Sequence, residues 1–141
     1  MFMNLLKYIF LTLIIITLCF SQNTALEFDG SDDYVSIPEN SAFKPTSALT
    51  LSAWIYLDDW TASNTFTPVS ITQGGGYSFH FDNSDNIKFW CENAGGNSII
   101  ASYSVSSVSS GWHHVAGTFD GRYLKLYFDG NIVNQELIPS R

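Results

Sequence analysis

Turn chemistry recurs along this chain at intervals of 8–12 residues, and that spacing constrains the fold more than any other feature. The clearest instances are the pairs Asp120-Gly121 and Asp129-Gly130, each set between runs rich in aromatic and branched side chains. Glycine accepts positive φ without steric cost, and Asp can hydrogen-bond its own backbone, so such pairs reverse a strand tightly. The intervals are too short for helical crossovers. They predict an all-β protein with antiparallel strands in a sandwich or barrel.

The predicted strands are the runs between these turns. Ala25–Phe28 ends at Asp29-Gly30, and Tyr34–Ile37 stops at Pro38. Residues 49–57 (LTLSAWIYL) read as apolar on both faces, which predicts a central strand covered on each side, with Trp54 in the core. Residues 69–72 run into three glycines. Tyr77–Phe81 and Ile87–Cys91 flank Asp82-Asn83-Ser84-Asp85-Asn86 and predict a hairpin. Residues 98–103, 113–119, 123–128 and 132–135 complete the set, and Trp112 is expected in the core. The only helical turn expected is Glu39–Phe43, before Pro45.

The N-terminus has a different character. Lys7 precedes a 13-residue apolar run, Tyr8–Phe20, interrupted only by Thr12 and Thr17. A membrane span needs roughly 20 such residues and a secretion signal roughly 7–15. Residues 1–21 therefore read as a cleaved signal peptide ending at Ser21, and 22–141 as one domain. Export to the cell surface or medium, without membrane insertion after cleavage, is the expected outcome.

Removing the leader takes one of the six basic residues, leaving five against 13 acidic ones, a net charge of −8. Such a surface repels nucleic acid and anionic membrane. It also takes Cys19, so Cys91 has no internal disulfide partner and is expected as a buried thiol.

Three segments carry a resemblance: ALEFDGSDDYVSIP, LTLSAWIYL and GWHHVAGTFDGRYLKLYFDGNIV. Together they resemble the laminin-G-like jelly-roll domains of the concanavalin A-like lectin/glucanase superfamily, over Ala25 to Val133. The third segment is the most specific. The resemblance implies an antiparallel jelly-roll β-sandwich serving a larger exported protein as a recognition or adhesion module. It implies a glycan or an extracellular protein as partner. Such domains usually continue with closing strands, and nothing after Gln135 resembles them, so a fragment of a longer product is expected.

The resemblance also implies calcium, held at the sandwich rim by carboxylates and backbone carbonyls. Hard cations want several oxygens. Asp29, Asp32 and Asp33 crowd one loop and are the preferred metal ligands. Asp82, Asp85 and Asn86 crowd another, without the glycine and distal glutamate of an EF-hand, and both clusters also read as ordinary turn chemistry.

Aromatic residues make up 16% of the chain. A pyranose face is apolar, so exposed rings serve as stacking platforms. Trp60, between Asp58-Asp59 and a polar loop, is the first platform candidate, with covering the sandwich end as its alternative role, and Trp90 is the second.

Catalysis is not expected. Glu27, Asp29 and Asp32 only superficially match the carboxylate pattern of related glucanases, which place acids about 5–9 Å apart across a cleft. His113 and His114 are adjacent on a strand and point to opposite faces, so both read as structural, as does His80.

Overall fold

A computed structural model describes residues 24–45, 47–60, 65–71, 76–92 and 98–138. The predicted signal, residues 1–21, lies outside the described residues. Among the described residues no helix is long and apolar enough to cross a membrane.

The chain divides into two units, Met1–Pro38 and Glu39–Arg141. In the first, residues 24–38 contain no strand, which corrects the expected strands at 25–28 and 34–37. Leu26, Phe28, Tyr34, Val35 and Ile37 are all exposed. A strand exists only through the ladder it pairs with, and no described strand pairs with this segment.

The second unit is the sandwich. Among the described residues, a 3₁₀ turn at Ser41–Phe43, capped by the Asn40 side chain, precedes eight strands. They are β1 (Leu49–Leu57), β2 (Phe66–Ile71), β3 (Tyr77–Phe81), β4 (Asn86–Glu92), β5 (Ser98–Ser104), β6 (Gly111–Phe119), β7 (Tyr123–Phe128) and β8 (Asn131–Leu137). One sheet has the order β1-β6-β7-β8 and the other β2-β3-β4-β5, with every pairing antiparallel.

The sheets meet over one apolar core. Phe79, Phe81, Ile87, Phe89, Cys91 and Ala101 come from the second sheet, and Val115, Leu124, Leu126 and Phe128 from the first. These are alternate positions on their strands, as the pleat requires. Each fully buried large side chain contributes about 1.5–3 kcal/mol by leaving water. Cys91 is a buried free thiol, as expected, and burial pushes its pKa up.

The turns have the chemistry read from the sequence. Asp129 and Gly130 both take positive φ, 48° and 78°, the type I′ pattern of a two-residue hairpin. Asp82 closes the β3–β4 turn. Its Oδ1 accepts from the backbone N–H of Ser84 and of Asn86, and its Oδ2 pairs with Lys88 at 2.6 Å.

Strand β1 departs from expectation. It lies at the edge of its sheet and strictly alternates half-buried and exposed positions. Leu49, Leu51, Ile55 and Leu57 pack on the core, while Thr50, Ser52, Trp54 and Tyr56 face outward. The run looked apolar on both faces only because Trp54 and Tyr56 occupy outward positions.

Candidate functional site

The outer face of the β1-β6-β7-β8 sheet is built by register. On β6, Val115 and Gly117 point into the core, which turns Trp112, His114, Ala116 and Thr118 outward. The β1–β6 ladder sets Tyr56 opposite Trp112, Trp54 opposite His114, Ser52 opposite Ala116 and Thr50 opposite Thr118. Two aromatic pairs result. Trp54 and His114 have ring centroids 5.3 Å apart, and Tyr56 and Trp112 5.5 Å apart with an edge-on geometry. Trp54, Tyr56 and Trp112 are 65%, 50% and 51% exposed. This corrects the placing of Trp54 and Trp112 in the core.

Beyond these rings the face becomes low and hydroxylated, with Ser52, Ala116, Thr50 and Thr118. The β6–β7 ladder then sets Tyr127 beside Ala116 and Lys125 beside Thr118. At the far end the guanidinium carbon of Arg122 lies 5.2 Å from the Tyr123 ring centroid, and the Lys125 ammonium 5.6 Å from it. Asp120 is nearby, but its Oδ1 accepts from the backbone N–H of Arg122 and of Tyr123. Those bonds hold its carboxyl below the usual carboxylate range.

Trp60, the first platform candidate, is 2% exposed and belongs to the core, which corrects that expectation. It meets Phe81, His113 and Phe128 at centroid distances of 5.7, 5.0 and 5.5 Å. Its polar neighbours in sequence suggested a loop tip, but the chain folds the indole inward at the sandwich end. Trp90 lies on the outer face of the other sheet, partly exposed, between Ser78 and Ile100 in register. It has no ring partner among the described residues.

The two histidines face opposite sides. His114 lies on the aromatic face. The His113 ring packs against Trp60 and Phe128, with Nδ1 2.7 Å from Asp129 Oδ2 and Nε2 3.2 Å from the Ser109 carbonyl. His80 sits on β3 with its Nδ1 3.2 Å from the Thr67 hydroxyl.

Asp29, Asp32 and Asp33 do come together. One carboxylate oxygen from each lies within 4.8 Å of the others, and all three residues are exposed. Asp29 Oδ1 accepts from Ser31 N–H and Asp33 Oδ2 from Asp29 N–H, so each of those two carboxylates keeps a second oxygen for a cation. Glu27 lies on the same strandless segment, exposed.

The sequence reading missed Trp54, Tyr56, Trp112 and His114 as a surface. The signal was there: all four are in phase with Ser52 or Thr118 rather than with Leu51 or Val115.

Comparison with solved structures finds the fold in botulinum neurotoxin. The receptor-binding domain of the serotype C/D mosaic matches with a TM-score of 0.55 and 22% identity, over 64% of this chain and 24% of that one. The serotype D ligand-binding domain in complex with N-acetylneuraminic acid matches with a TM-score of 0.58 and 20% identity, over 70% of this chain and 26% of that one. At these identities the likeness is one of fold, and this chain spans about a quarter of those structures. Comparison with curated proteins gives no match. Residues 29–139 match the Laminin_G_3 family model, described as the concanavalin A-like lectin/glucanases superfamily, and the chain belongs to that family.

Proposed function

We propose that this domain is a non-catalytic glycan-binding module whose ligand lies on the outer face of the β1-β6-β7-β8 sheet. One observation carries the reading: Trp54, Tyr56 and Trp112, exposed, and His114, half-buried, form two adjacent aromatic pairs on the outer face rather than packing in the core. Burying such rings ordinarily stabilises a fold, so a row of them left in water marks a surface that something covers. Flat rings beside hydroxyls suit a sugar, which offers an apolar face and polar edges. Membership of a lectin-containing superfamily supports the same reading, as does a structural neighbour that binds N-acetylneuraminic acid. Family analogy alone does not assign a ligand; the aromatic face is the observation that supports a glycan.

Action outside the cell, as part of a larger exported protein, belongs to the same proposal. The apolar run Tyr8–Phe20 and the acidic balance of the chain support it. Calcium held by Asp29, Asp32 and Asp33 is also proposed. Three carboxylates supply part of the six to eight oxygens the ion takes, with backbone carbonyls and water completing the shell.

The test is binding of the full chain to an array of immobilised oligosaccharides. Trp54→Ala and Trp112→Ala are each expected to weaken binding by about tenfold. Unchanged binding in the double variant would remove the aromatic face as the site.

A further inference from the structure

We infer that the glycan is anionic, and that it spans from the aromatic pairs to the cations at Tyr123. This rests on the glycan-binding reading above and adds the charge and the length of the ligand.

The argument begins with where the positive charge is. The chain carries a net charge of −7, so its few cations should all find carboxylates. Among the described residues two do: Lys44 pairs with Glu39, and Lys88 with Asp82. Arg122 and Lys125 do not. Both converge on the Tyr123 ring, within the range of a cation–π contact. Neither is in an ion pair among the described residues. Asp120, in the same turn, feels the charge of Lys125 but forms no ion pair with it, and its Oδ1 is committed to two backbone N–H groups. Two like charges beside one ring repel each other, and an anion relieves that repulsion. A guanidinium also matches a carboxylate or sulfate through two parallel hydrogen bonds.

Position connects this cation pair to the platform. Tyr123, Lys125 and Tyr127 alternate outward on β7, the same side as Trp112, His114 and Trp54. Lys125 is in register with Thr118, four residues along β6 from His114. At about 3.4 Å per residue and one strand spacing across, His114 and Lys125 are separated by roughly 15 Å. The surface between them is floored by Ala116, Ser52, Thr50 and Thr118, whose side chains are small and mostly hydroxylated. A chain of sugars crosses this floor with its rings on the aromatics, its hydroxyls on Ser and Thr, and its acidic group at Arg122 and Lys125. A single sugar is too short to reach both ends.

The experiment uses the full chain and matched probes. Dextran and dextran sulfate form one pair, galactan and galacturonan oligomers a second, and N-acetyllactosamine oligomers with and without terminal sialic acid a third. Affinities are measured by tryptophan fluorescence at low and high salt. At least one anionic oligomer is expected to bind about tenfold more tightly than its neutral partner, with the difference shrinking at high salt. Arg122→Gln with Lys125→Gln should abolish the anionic oligomer's advantage, bringing it down to the affinity of its neutral partner. The reversal to Glu at both positions should push it lower still. Trp54→Ala with Trp112→Ala should weaken both members of the pair. The corresponding acidic monosaccharide should show no such preference.

Equal affinity within every pair, or an anionic preference that survives both charge variants, overturns this inference while leaving the glycan platform standing. Binding unaffected by the tryptophan variants overturns the platform itself. Failure to bind any of the six probes overturns both, and the face is then a contact for another protein.

Discussion

The ring of Phe89 occupies the space in front of Gly117, so the two sheets touch there with nothing between them. A Cβ built on Gly117 would stand 2.5 Å from the ring carbons Cγ and Cδ1, well inside van der Waals contact. Gly117 is on β6 and Phe89 on β4, and both are buried. The glycine is needed for this close approach between the sheets, and its backbone has no positive φ. Gly117→Ala is expected to destabilise the domain by about 1–3 kcal/mol through overpacking. Urea unfolding checks it, and adding Phe89→Leu should recover part of the loss. A fully stable Gly117→Ala variant would mean the sheets separate easily at this point.

Trp60 and the platform tryptophans should behave oppositely. Trp60→Ala removes a core side chain and is expected to cost about 3–5 kcal/mol. Trp54→Ala and Trp112→Ala remove exposed rings and should change stability by less than about 1 kcal/mol. Acrylamide should quench Trp54 and Trp112 readily and Trp60 poorly, read in variants that retain one of these tryptophans at a time.

Acid should destabilise the fold through two turn carboxylates. Burial alone would raise the Asp82 pKa, but hydrogen bonds from Lys88, Ser84 and Asn86 outweigh it and hold the pKa at about 2, against an ordinary 3.8. Asp129 is likewise held below the ordinary value, because the bonds from His113 and the His114 N–H outweigh the effect of burial. A depressed folded pKa contributes stability that is present above the unfolded value of 3.8 and is lost as pH falls through the folded one. Unfolding free energy should therefore decline between about pH 5 and 2. Asp82→Asn should flatten part of that decline.

The thiol of Cys91 is buried and its pKa raised, so it should resist alkylation. In native buffer iodoacetamide should label it slowly, and in denaturant at once. Fast native labelling would show that the β4 end of the core opens readily.

Calcium should raise the thermal midpoint if Asp29, Asp32 and Asp33 hold it, since a ligand bound only by the folded state stabilises by mass action. Asp29→Ala with Asp32→Ala should abolish the rise. No rise at millimolar calcium would leave the three aspartates as turn residues.

Local chemistry was legible in the sequence. The strands of the β3–β4 hairpin and of β6 to β8 were placed to within a few residues. Asp-Gly sets a hairpin by its own backbone preferences, and period-two alternation shows from the side chains alone. The opposite facing of His113 and His114 followed from the same alternation. The burial of Cys91 was expected because it lacked a disulfide partner.

What only the tertiary structure decided was which partner each strand found and which face met the core. Residues 25–28 and 34–37 have strand-like sequences but no ladder, because pairing is a property of two segments. Trp54 and Trp112 look like core residues and lie outside, while Trp60 sits among polar residues and lies inside. An indole is apolar enough for either place, so its type does not settle the matter. For Trp54 and Trp112 the phase of the strand does; for Trp60, which follows β1 and lies in no strand, it is the turn of the chain that sets the ring against Phe81, His113 and Phe128.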